Sequence, residues 1–203
     1  MIMGITRSKD GEQNMNSGFV IWLTGLSGAG KTTIADVVAP KLTKLGFRVE
    51  RLDGDEVRRQ LSPELGFSKE DRETHAKRVV YVSKLLSRNG VAVIVALISP
   101  YRSFRAFARQ EIENFVEVYV KCSIETCAKR DPKGLYKKAF KGEIKDMTGL
   151  QDPYEEPLDP EVIADTEQES PELNVEKILD TLRDLGYLVE RKSLVTGQSN
   201  ALR

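Results

Sequence analysis

Short apolar runs alternate with stretches of helical period along most of this sequence. A short apolar run is typical of a buried parallel strand, and apolar residues that recur every three or four positions are typical of a helix that covers a sheet. The predicted strands are 19–23, 48–52, 91–98, 116–121 and 161–164. The predicted helices are 31–45, 72–88 and 174–185. Because Pro40 lies inside the first helix and lacks a backbone donor, we expect a kink or an early end there.

This alternation predicts an α/β fold in which helices cover both faces of a parallel sheet. The length of 203 residues suits one domain, which we place at 18–188, between a flexible N-terminal arm (1–17) and a polar C-terminal tail (189–203). Residues 133–157, the lid segment, have little regular apolar period and are long enough to cover an active site, although an ordinary surface excursion fits their composition equally well. Ligands of such sheets bind beyond the carboxyl ends of the strands, so the residues after each strand are the candidates for function.

The composition narrows the class of protein. The 31 basic and 31 acidic residues balance, which argues against a nucleic-acid-binding protein, and no apolar run approaches the ~20 residues of a membrane span. The N-terminal sequence lacks the apolar stretch of a secretory signal, so we expect a cytoplasmic protein. Cys122 and Cys127 match no zinc pattern and no disulfide framework. His75 is the single histidine, which argues against a histidine-based metal site or a Ser-His-Asp triad.

The segment after the first predicted strand has the pattern G-x-x-x-x-G-K-[ST] of a P-loop, a loop that binds nucleotide phosphates. Its glycines let backbone N–H groups turn toward phosphate oxygens, and the following helix adds its positive dipole end. The motif predicts that Lys31 reaches the β- and γ-phosphates and that the Thr32 hydroxyl binds Mg²⁺. The predicted ATP-binding residues of the loop are Gly25, Leu26, Ser27, Gly28, Ala29, Gly30, Lys31, Thr32 and Thr33.

The ends of the later strands distinguish among the classes of P-loop protein. The strand 91–98 is followed by Ser99 and Pro100 instead of the acidic residue usual in motor and transporter ATPases, and no N-K-x-D guanine motif indicates a GTPase. The strand 48–52 is followed by Asp53 and Asp55. Two carboxylates beside a P-loop can hold Mg²⁺ through water and accept the proton of an attacking hydroxyl, although a solvated surface turn is the alternative. These observations favour a small-molecule kinase.

A basic stretch opens the predicted helix 72–88. Ser68 is a candidate N-cap, with Asp71 three residues further on. Arg72 and Arg78 are six positions apart and therefore lie on different faces of the helix, which by itself favours a solvated basic helix. They can converge on one anionic ligand only if the start of the helix points at that ligand.

Seven segments in register resemble the adenylylsulfate kinase (APS kinase) family, which uses ATP to phosphorylate the 3′-hydroxyl of adenosine 5′-phosphosulfate (APS). The segments are, in chain order, GLSGAGKTT, LDGDEVR, LGFSKEDR, ISPYR, DPKGLYKKA, GEIK and TGLQDPYEEP. Each segment is short, but their combination in family order over about residues 20–188 is very specific. The resemblance implies a P-loop kinase of sulfate activation, with ATP as substrate, Mg²⁺ as cofactor and, as is usual in the family, a homodimer.

The resemblance also implies catalytic roles. Lys31, Asp53 and Asp55 are the implied catalytic residues, with Thr32 and Asp53 at the metal and Asp55 assisting the acceptor hydroxyl. Ser99 matches the serine described for the family as a phosphorylated intermediate. Because direct in-line transfer needs no such intermediate and no base adjacent to Ser99 is evident, we expect Ser99→Ala to keep measurable activity.

The implied binding residues divide between the two nucleotides. Arg130 matches an arginine that packs on the ATP adenine, and Phe67 matches the aromatic residue that stacks on the APS adenine. Lys145 matches a lysine of the lid, and three arginines match residues that hold the phosphosulfate end, as suits an anionic ligand. The full implied acceptor set is Asp55, Arg58, Phe67, Arg72, His75, Arg78, Ile98, Ser99, Lys145 and Met147.

Three positions depart from the family pattern. His75 stands where the family commonly has Asn, Met147 replaces an aromatic residue of the lid, and Phe140 replaces the Arg of a K-A-R segment. Met147 can still cover an adenine face without aromatic stacking, and His75 fits a partly buried helix position equally well. These departures bear on acceptor affinity more than on reaction type. A kinase for another nucleotide or small alcohol, and a catalytically silent nucleotide-binding module, therefore stay as alternatives.

Fused members of the family carry ATP sulfurylase on the same chain. The length of this sequence leaves no room for that domain, so we expect a stand-alone kinase or an excised domain. Functional coupling to ATP sulfurylase is the partnership that the resemblance implies.

Overall fold

The computed structural model of the protein describes residues 18–188, and the predicted arm 1–17 and tail 189–203 lie outside the described residues. A parallel sheet has the strand order β2-β3-β1-β4-β5. The strands are β1 (Phe19–Thr24), β2 (Arg48–Asp53), β3 (Val91–Ala96), β4 (Phe115–Lys121) and β5 (Val162–Asp165). The helices are α1 (Lys31–Lys44), α2 (Gly54–Leu61), α3 (Lys69–Arg88), α4 (Arg102–Glu111), α5 (Ile124–Arg130), α6 (Leu135–Phe140) and α7 (Pro171–Asp184).

The central strand β1 alternates its side chains between two layers of helices, as the two-residue period of a strand requires. Phe19, Ile21 and Leu23 pack against residues of α1 and α7. Val20 and Trp22 pack against residues of α3 and α4 on the opposite face. All five side chains are buried. The predicted α/β sandwich with a parallel sheet is confirmed.

Each predicted strand is present, with bounds that differ slightly from the prediction. β3 ends at Ala96 rather than at residue 98, because its neighbour β1 pairs Leu23 with Ala96 and the chain then leaves the sheet. The backbone turns at Ser99, whose φ is 45°. β5 pairs in parallel with β4 and forms an edge of the sheet.

The sequence predicts either a kink or an early end of the first helix at Pro40. The early end is wrong, because α1 continues to Lys44. Pro40 and Asp36 both lie on the exposed side of α1. The Asp36 carbonyl, which loses its helical donor to the proline, can therefore be satisfied by water.

Four helices have no counterpart among the predicted elements: α2, α4, α5 and α6. They contain between six and ten residues, which is fewer than three turns each, so the sequence offers few repeats of an apolar period even though α2 and α4 are strongly amphipathic. The last of them lies inside the lid segment. The predicted N-cap of α3 is confirmed, since the Ser68 hydroxyl accepts a hydrogen bond from the Asp71 amide at 3.1 Å, and α3 begins at Lys69 rather than at residue 72. No helix within residues 18–188 is both long and apolar enough to cross a membrane.

The buried side chain of Arg105 links three parts of the chain by hydrogen bonds. Arg105 on α4 donates to the Glu117 carboxylate of β4 at 2.7 Å, and both side chains are almost fully buried. The same guanidinium donates to the backbone carbonyls of Ser99 and Glu155. A buried ion pair of this kind needs all its hydrogen bonds to offset desolvation, and here the extra donors find backbone acceptors.

Candidate functional site

A cavity of about 760 Å³ lies beyond the carboxyl ends of the strands. Segments that follow β1, β2, β3 and β5 all contribute to its wall, as the rule for open α/β sheets predicts. The predicted site residues that line it are Ser27, Gly28, Gly30, Lys31, Thr32, Thr33, Asp53, Asp55, Arg58, Phe67, Arg72, His75, Ile98, Ser99 and Arg130.

The P-loop joins β1 to α1, which is the context that the motif requires. Gly28 has a φ of 77°, and a Cβ atom there would lie 3.1 Å from the carbonyl oxygen of Cys127. A side chain at this position would therefore meet both backbone strain and a close contact. Leu26 and Ala29 turn the other way and are buried in the core, which anchors the loop from beneath.

Lys31 lies inside the loop with its ammonium group directed at backbone carbonyls. Its Nζ atom donates to the oxygens of Gly25 at 2.8 Å and of Leu26 at 2.7 Å. Burial, with a smaller contribution from the charge of Lys133, lowers the pKa of Lys31 to about 8, although Asp53 and Asp55 act in the opposite direction. The carbonyls hold the ammonium at the place where the phosphates of a bound nucleotide would lie.

The two predicted aspartates lie at the junction of β2 and α2. The Thr32 hydroxyl donates to one carboxylate oxygen of Asp53 at 3.2 Å, and the other oxygen accepts from the Asp55 amide at 3.2 Å as the N-cap of α2. Hydroxyl and carboxylate oxygens are ligands that Mg²⁺ prefers, usually with water and phosphate completing the shell. The pair of Thr32 and Asp53 therefore fits a magnesium ion carried in with a nucleotide.

Asp55 extends into the cavity and forms an ion pair with Lys133. Lys133 is a functional candidate that is absent from the predicted site residues. The sequence does point to it, since Lys133 lies in DPKGLYKKA, one of the segments that resemble the APS kinase family, and is the first residue of the lid segment.

An aromatic ring and two arginines form the other end of the cavity. Phe67 is 62% exposed and lines the cavity, so its ring is open to a ligand. The guanidinium carbon of Arg58 lies 4.7 Å from the centre of its ring, and that of Arg72 lies 5.8 Å away. Arg72 also donates to Thr148 at 3.0 Å and to the Asp146 carbonyl at 2.8 Å, so it links α3 to the lid segment.

His75 lines the same end of the cavity from α3 and is only 6% exposed. Its Nδ1 atom lies 2.9 Å from the Ser62 hydroxyl. Burial, together with the charges of Arg58 and Arg78, lowers the pKa of His75 to about 4. The imidazole is therefore neutral at physiological pH.

Ser99 is held by contacts on both its side chain and its backbone. The buried indole N–H of Trp22 donates to the Ser99 hydroxyl at 3.1 Å. The Ser99 carbonyl accepts from Arg105 and, at 3.5 Å, from the Thr24 hydroxyl. Among the described residues no carboxylate or histidine lies within hydrogen-bonding distance of its hydroxyl, so the contacts offer no base to activate it.

Arg130 lies on the nucleotide side of the cavity at the end of α5. It donates to the Thr166 carbonyl at 2.7 Å and to the Thr166 hydroxyl at 3.1 Å. That hydroxyl in turn donates to the Ala29 carbonyl of the P-loop at 2.8 Å. The exposed arginine is thereby positioned beside the loop.

Three predicted acceptor-binding residues do not line the cavity. Arg78 forms an ion pair with Glu64 at 2.6 Å and donates to the Leu61 carbonyl at 2.6 Å, so it joins α3 to the end of α2. Met147 is buried in the core, and Lys145 is an exposed residue of the lid segment. Their predicted contacts with the acceptor stay predictions.

Comparison with known families identifies one match. The sequence model of the adenylylsulphate kinase family matches residues 17–165 of this chain. A protein named probable adenylyl-sulfate kinase, from Pyrococcus abyssi, is 54% identical over 171 residues, which are 84% of this chain and 98% of that protein.

Two further relatives have informative names. A probable bifunctional SAT/APS kinase of Sorangium cellulosum is 52% identical over 179 residues, which are 88% of this chain and 31% of that protein. The solved structure of the Mycobacterium tuberculosis APS kinase in complex with AMPPNP and APS aligns with a TM-score of 0.79 and 39% identity, over 82% of this chain and 98% of that chain.

Proposed function

The chain belongs to the adenylylsulfate kinase family, and on that premise we propose that it transfers the γ-phosphoryl group of ATP to the 3′-hydroxyl of APS. The observation that carries this proposal is the continuity of one cavity from Lys31 in the P-loop to Phe67 and Arg58 at the other end. The cavity of about 760 Å³ has the P-loop in one part of its wall and the ring of Phe67 in another, so it offers a place for each of the two nucleotides.

The P-loop end receives ATP. Backbone N–H groups of the loop and the start of α1 face the phosphates, and the Lys31 ammonium exchanges its two carbonyl acceptors for phosphate oxygens. Thr32 and Asp53 would hold a bound Mg²⁺, which would supply positive charge near the transferring phosphoryl group. Arg130 lies where it can pack on the adenine.

The opposite end receives APS. Phe67 offers an exposed ring on which the adenine stacks, and Arg58 and Arg72 offer positive charge to the phosphosulfate group. This arrangement brings the ribose toward the middle of the cavity, near Asp55. The Asp55 carboxylate orients the 3′-hydroxyl and takes its proton late in a loose transition state.

A single assay tests the proposal. Purified protein is incubated with ATP, Mg²⁺ and APS, and in parallel with a panel of nucleosides and sugars, while ADP release is monitored. We expect ADP release with APS and background release with the panel. Release with another acceptor and none with APS would contradict the proposal.

Two proposals about partners go with this function. The product of an ATP sulfurylase is the acceptor used here, and the Sorangium cellulosum relative is named for both activities, so we propose functional coupling to an ATP sulfurylase. The homodimer stays a prediction, and light scattering on the purified protein tests it. The cytoplasmic location stays a prediction as well.

A further inference from the structure

The turn between β5 and α7 contacts both ends of the short helix α5. At the start of α5, the Glu167 carboxylate accepts hydrogen bonds from the amide and the hydroxyl of Ser123, each at 2.8 Å, and from the hydroxyl of Thr126. At its end, Arg130 donates to the carbonyl of Thr166 at 2.7 Å and to the hydroxyl of Thr166 at 3.1 Å. Two consecutive residues of one turn therefore hold this helix at both ends.

Hydrogen bonds within the turn and to the sheet fix the shape of the turn. The Asp165 carboxylate accepts from the Glu167 amide at 3.1 Å, and the Asp165 carbonyl accepts from the Glu169 amide at 3.0 Å. The Thr166 amide donates to the Lys121 carbonyl at 3.1 Å, directly beyond the last pair of β4 and β5. The turn is thus anchored to the edge of the sheet and can hold other elements in place.

The same turn packs against the P-loop through Thr166. The Thr166 hydroxyl donates to the Ala29 carbonyl at 2.8 Å while it accepts from Arg130. The methyl carbon of Thr166 lies 3.4 Å from the position that a Cβ atom of Gly30 would take. Thr166 and Arg130 both line the cavity. One hydroxyl therefore connects the exposed arginine to the loop that would hold the phosphates.

We propose that Glu167 and Thr166 are positioning residues of the ATP site, which orient the Arg130 guanidinium for packing on the adenine before the nucleotide arrives. The inference rests on the proposed function, which places the adenine at Arg130. A free arginine side chain rotates about several bonds, and a ligand that packs on it must restrict them. The two acceptors on Thr166 restrict the guanidinium in the free protein, so this loss of freedom no longer opposes binding. Both hydrogen bonds lie at the edge of the planar group and leave its face for a base.

Glu167 acts one step further from the nucleotide, because it holds the helix that carries Arg130. All three groups that contact its carboxylate are donors. The Ser123 hydroxyl accepts from the Thr126 amide at 3.2 Å as the N-cap of α5, which leaves its own proton for Glu167. Hydrogen bonds from Thr126 and Ser123 lower the pKa of Glu167 to about 2, so the carboxylate is ionised at physiological pH. A glutamine here would turn an N–H group toward one of these donors.

Calorimetry with two ligands separates the contribution of the base from that of the phosphates. Purified protein is titrated with MgADP and, separately, with magnesium tripolyphosphate, which offers phosphates without a base. For Glu167→Ala we expect the Kd for MgADP to rise about fivefold or more, the size of a lost cation–π contact, and the Kd for tripolyphosphate to change less than about twofold. Glu176→Gln is the matched control, since it neutralises a carboxylate that pairs with Lys41 away from the cavity, and it should leave both Kd values unchanged.

A double-mutant cycle tests whether Glu167 acts through Arg130. Arg130→Ala should itself weaken the binding of MgADP, and in that background Glu167→Ala should have no further effect. A residue that only stabilises the fold would weaken binding equally in both backgrounds. Thr166→Val keeps the size but removes the hydroxyl that joins Arg130 to the P-loop, so it should weaken the binding of both ligands. In steady-state kinetics, Glu167→Ala should raise the KM for ATP and leave kcat and the KM for APS nearly unchanged.

The outcomes separate this inference from the proposed function. Unchanged MgADP binding in Glu167→Ala, an equal loss for the two ligands, the same loss in the Arg130→Ala background, or normal binding by Thr166→Val would overturn the inference. Wild-type protein that binds MgADP but does not turn over APS would overturn the proposed function alone, because the binding comparison needs no acceptor. Wild-type protein that does not bind MgADP would overturn both. Circular dichroism checks the fold of each variant, and if Glu167→Ala does not fold, Glu167→Gln takes its place in both comparisons.

Discussion

Asp55 and Lys133, which both line the cavity, form an ion pair that joins the start of α2 to the first residue of the lid segment. Both side chains are more than half exposed, at 62% and 51%, so the pair contributes little to the stability of the fold. The position of the pair matters more than its energy. We expect the Asp55 carboxylate to act on the acceptor hydroxyl, and in the free protein this carboxylate is paired with Lys133 of the lid segment.

Replacement of Asp55 by Asn should reduce kcat by roughly 10²-fold or more, because the shape is kept while the proton acceptor is lost. The Kd for an ATP analogue should change far less, since Asp53 and the P-loop remain intact. Rapid-quench kinetics and calorimetry measure the two quantities. Asp53→Asn is the companion variant. If Asp53→Asn is inactive and Asp55→Asn is normal, the two carboxylates have the opposite roles. Normal turnover in both variants would mean that residues 53–55 form a structural turn only.

Replacement of Lys31 by Ala should abolish turnover and leave the fold intact. The proposed function places its ammonium group at the transferring phosphoryl group, and its partners in the free protein are the backbone carbonyls of Gly25 and Leu26. Circular dichroism and thermal unfolding check the fold, and ADP release checks the activity. A variant that keeps a near-normal rate would place catalysis outside the P-loop.

The affinity for ATP should fall as the pH rises above about 8. The folded pKa of Lys31 lies below its ordinary value, at about 8, so above this pH the free protein holds a neutral amine. Bound phosphates favour the ammonium form, and binding then requires uptake of a proton, which weakens affinity by up to about tenfold per pH unit. Calorimetry of MgATP between pH 6.5 and 9.5 measures the trend. Adenosine, which lacks phosphates, is the control and should show no such trend.

Replacement of Ser99 by Ala should keep measurable activity but lower the stability. Direct transfer needs no phosphorylated serine, whereas the buried Trp22 indole loses its acceptor, which costs about 1–3 kcal/mol. Urea unfolding measures the loss, and the Trp22→Phe, Ser99→Ala double variant should be less destabilised than the two single changes predict when added. Radiolabel from ATP that is trapped on Ser99 and chased into product at the turnover rate would contradict the first half of this prediction.

His75 should make the stability depend on pH between about 6.5 and 4. Its folded pKa of about 4 lies below the ordinary value, so in this range the unfolded chain binds a proton that the folded protein does not. The free energy of unfolding must therefore fall as the pH falls from about 6.5 to 4. Carboxylates titrate in part of the same range, so the comparison of wild type with His75→Gln isolates the histidine. Parallel curves for the two proteins would contradict the assignment.

Much of the fold follows from the sequence because its central strands are buried on both faces. β1, β3 and β4 are apolar at nearly every position, and such runs are conspicuous. The short helices α2, α4, α5 and α6 are less conspicuous, since each has fewer than three turns. The starts of α2 and α5 also depend on the N-caps Asp53 and Ser123. Their presence is decided by tertiary packing.

The candidate site likewise has a part that the sequence predicts and a part that it does not. The P-loop is predictable because the whole phosphate-binding motif lies within eight consecutive residues. The pairing of Lys133 with Asp55, and of Ser62 with His75, joins residues that are distant or unremarkable in sequence. Only the packing of α2, α3 and the lid segment places them together.

The strand order has a consequence for the order of events in folding. β1 precedes both of its neighbours, β3 and β4, by long stretches of chain, so it stays unpaired until about half of the domain has been synthesised. Non-local strand pairing of this kind is slow, because the entropy of closing a long loop opposes it before any contact is gained. The phosphate loop therefore acquires its shape late. ATP should then protect the finished protein by binding only the folded state, without accelerating the early steps that build it.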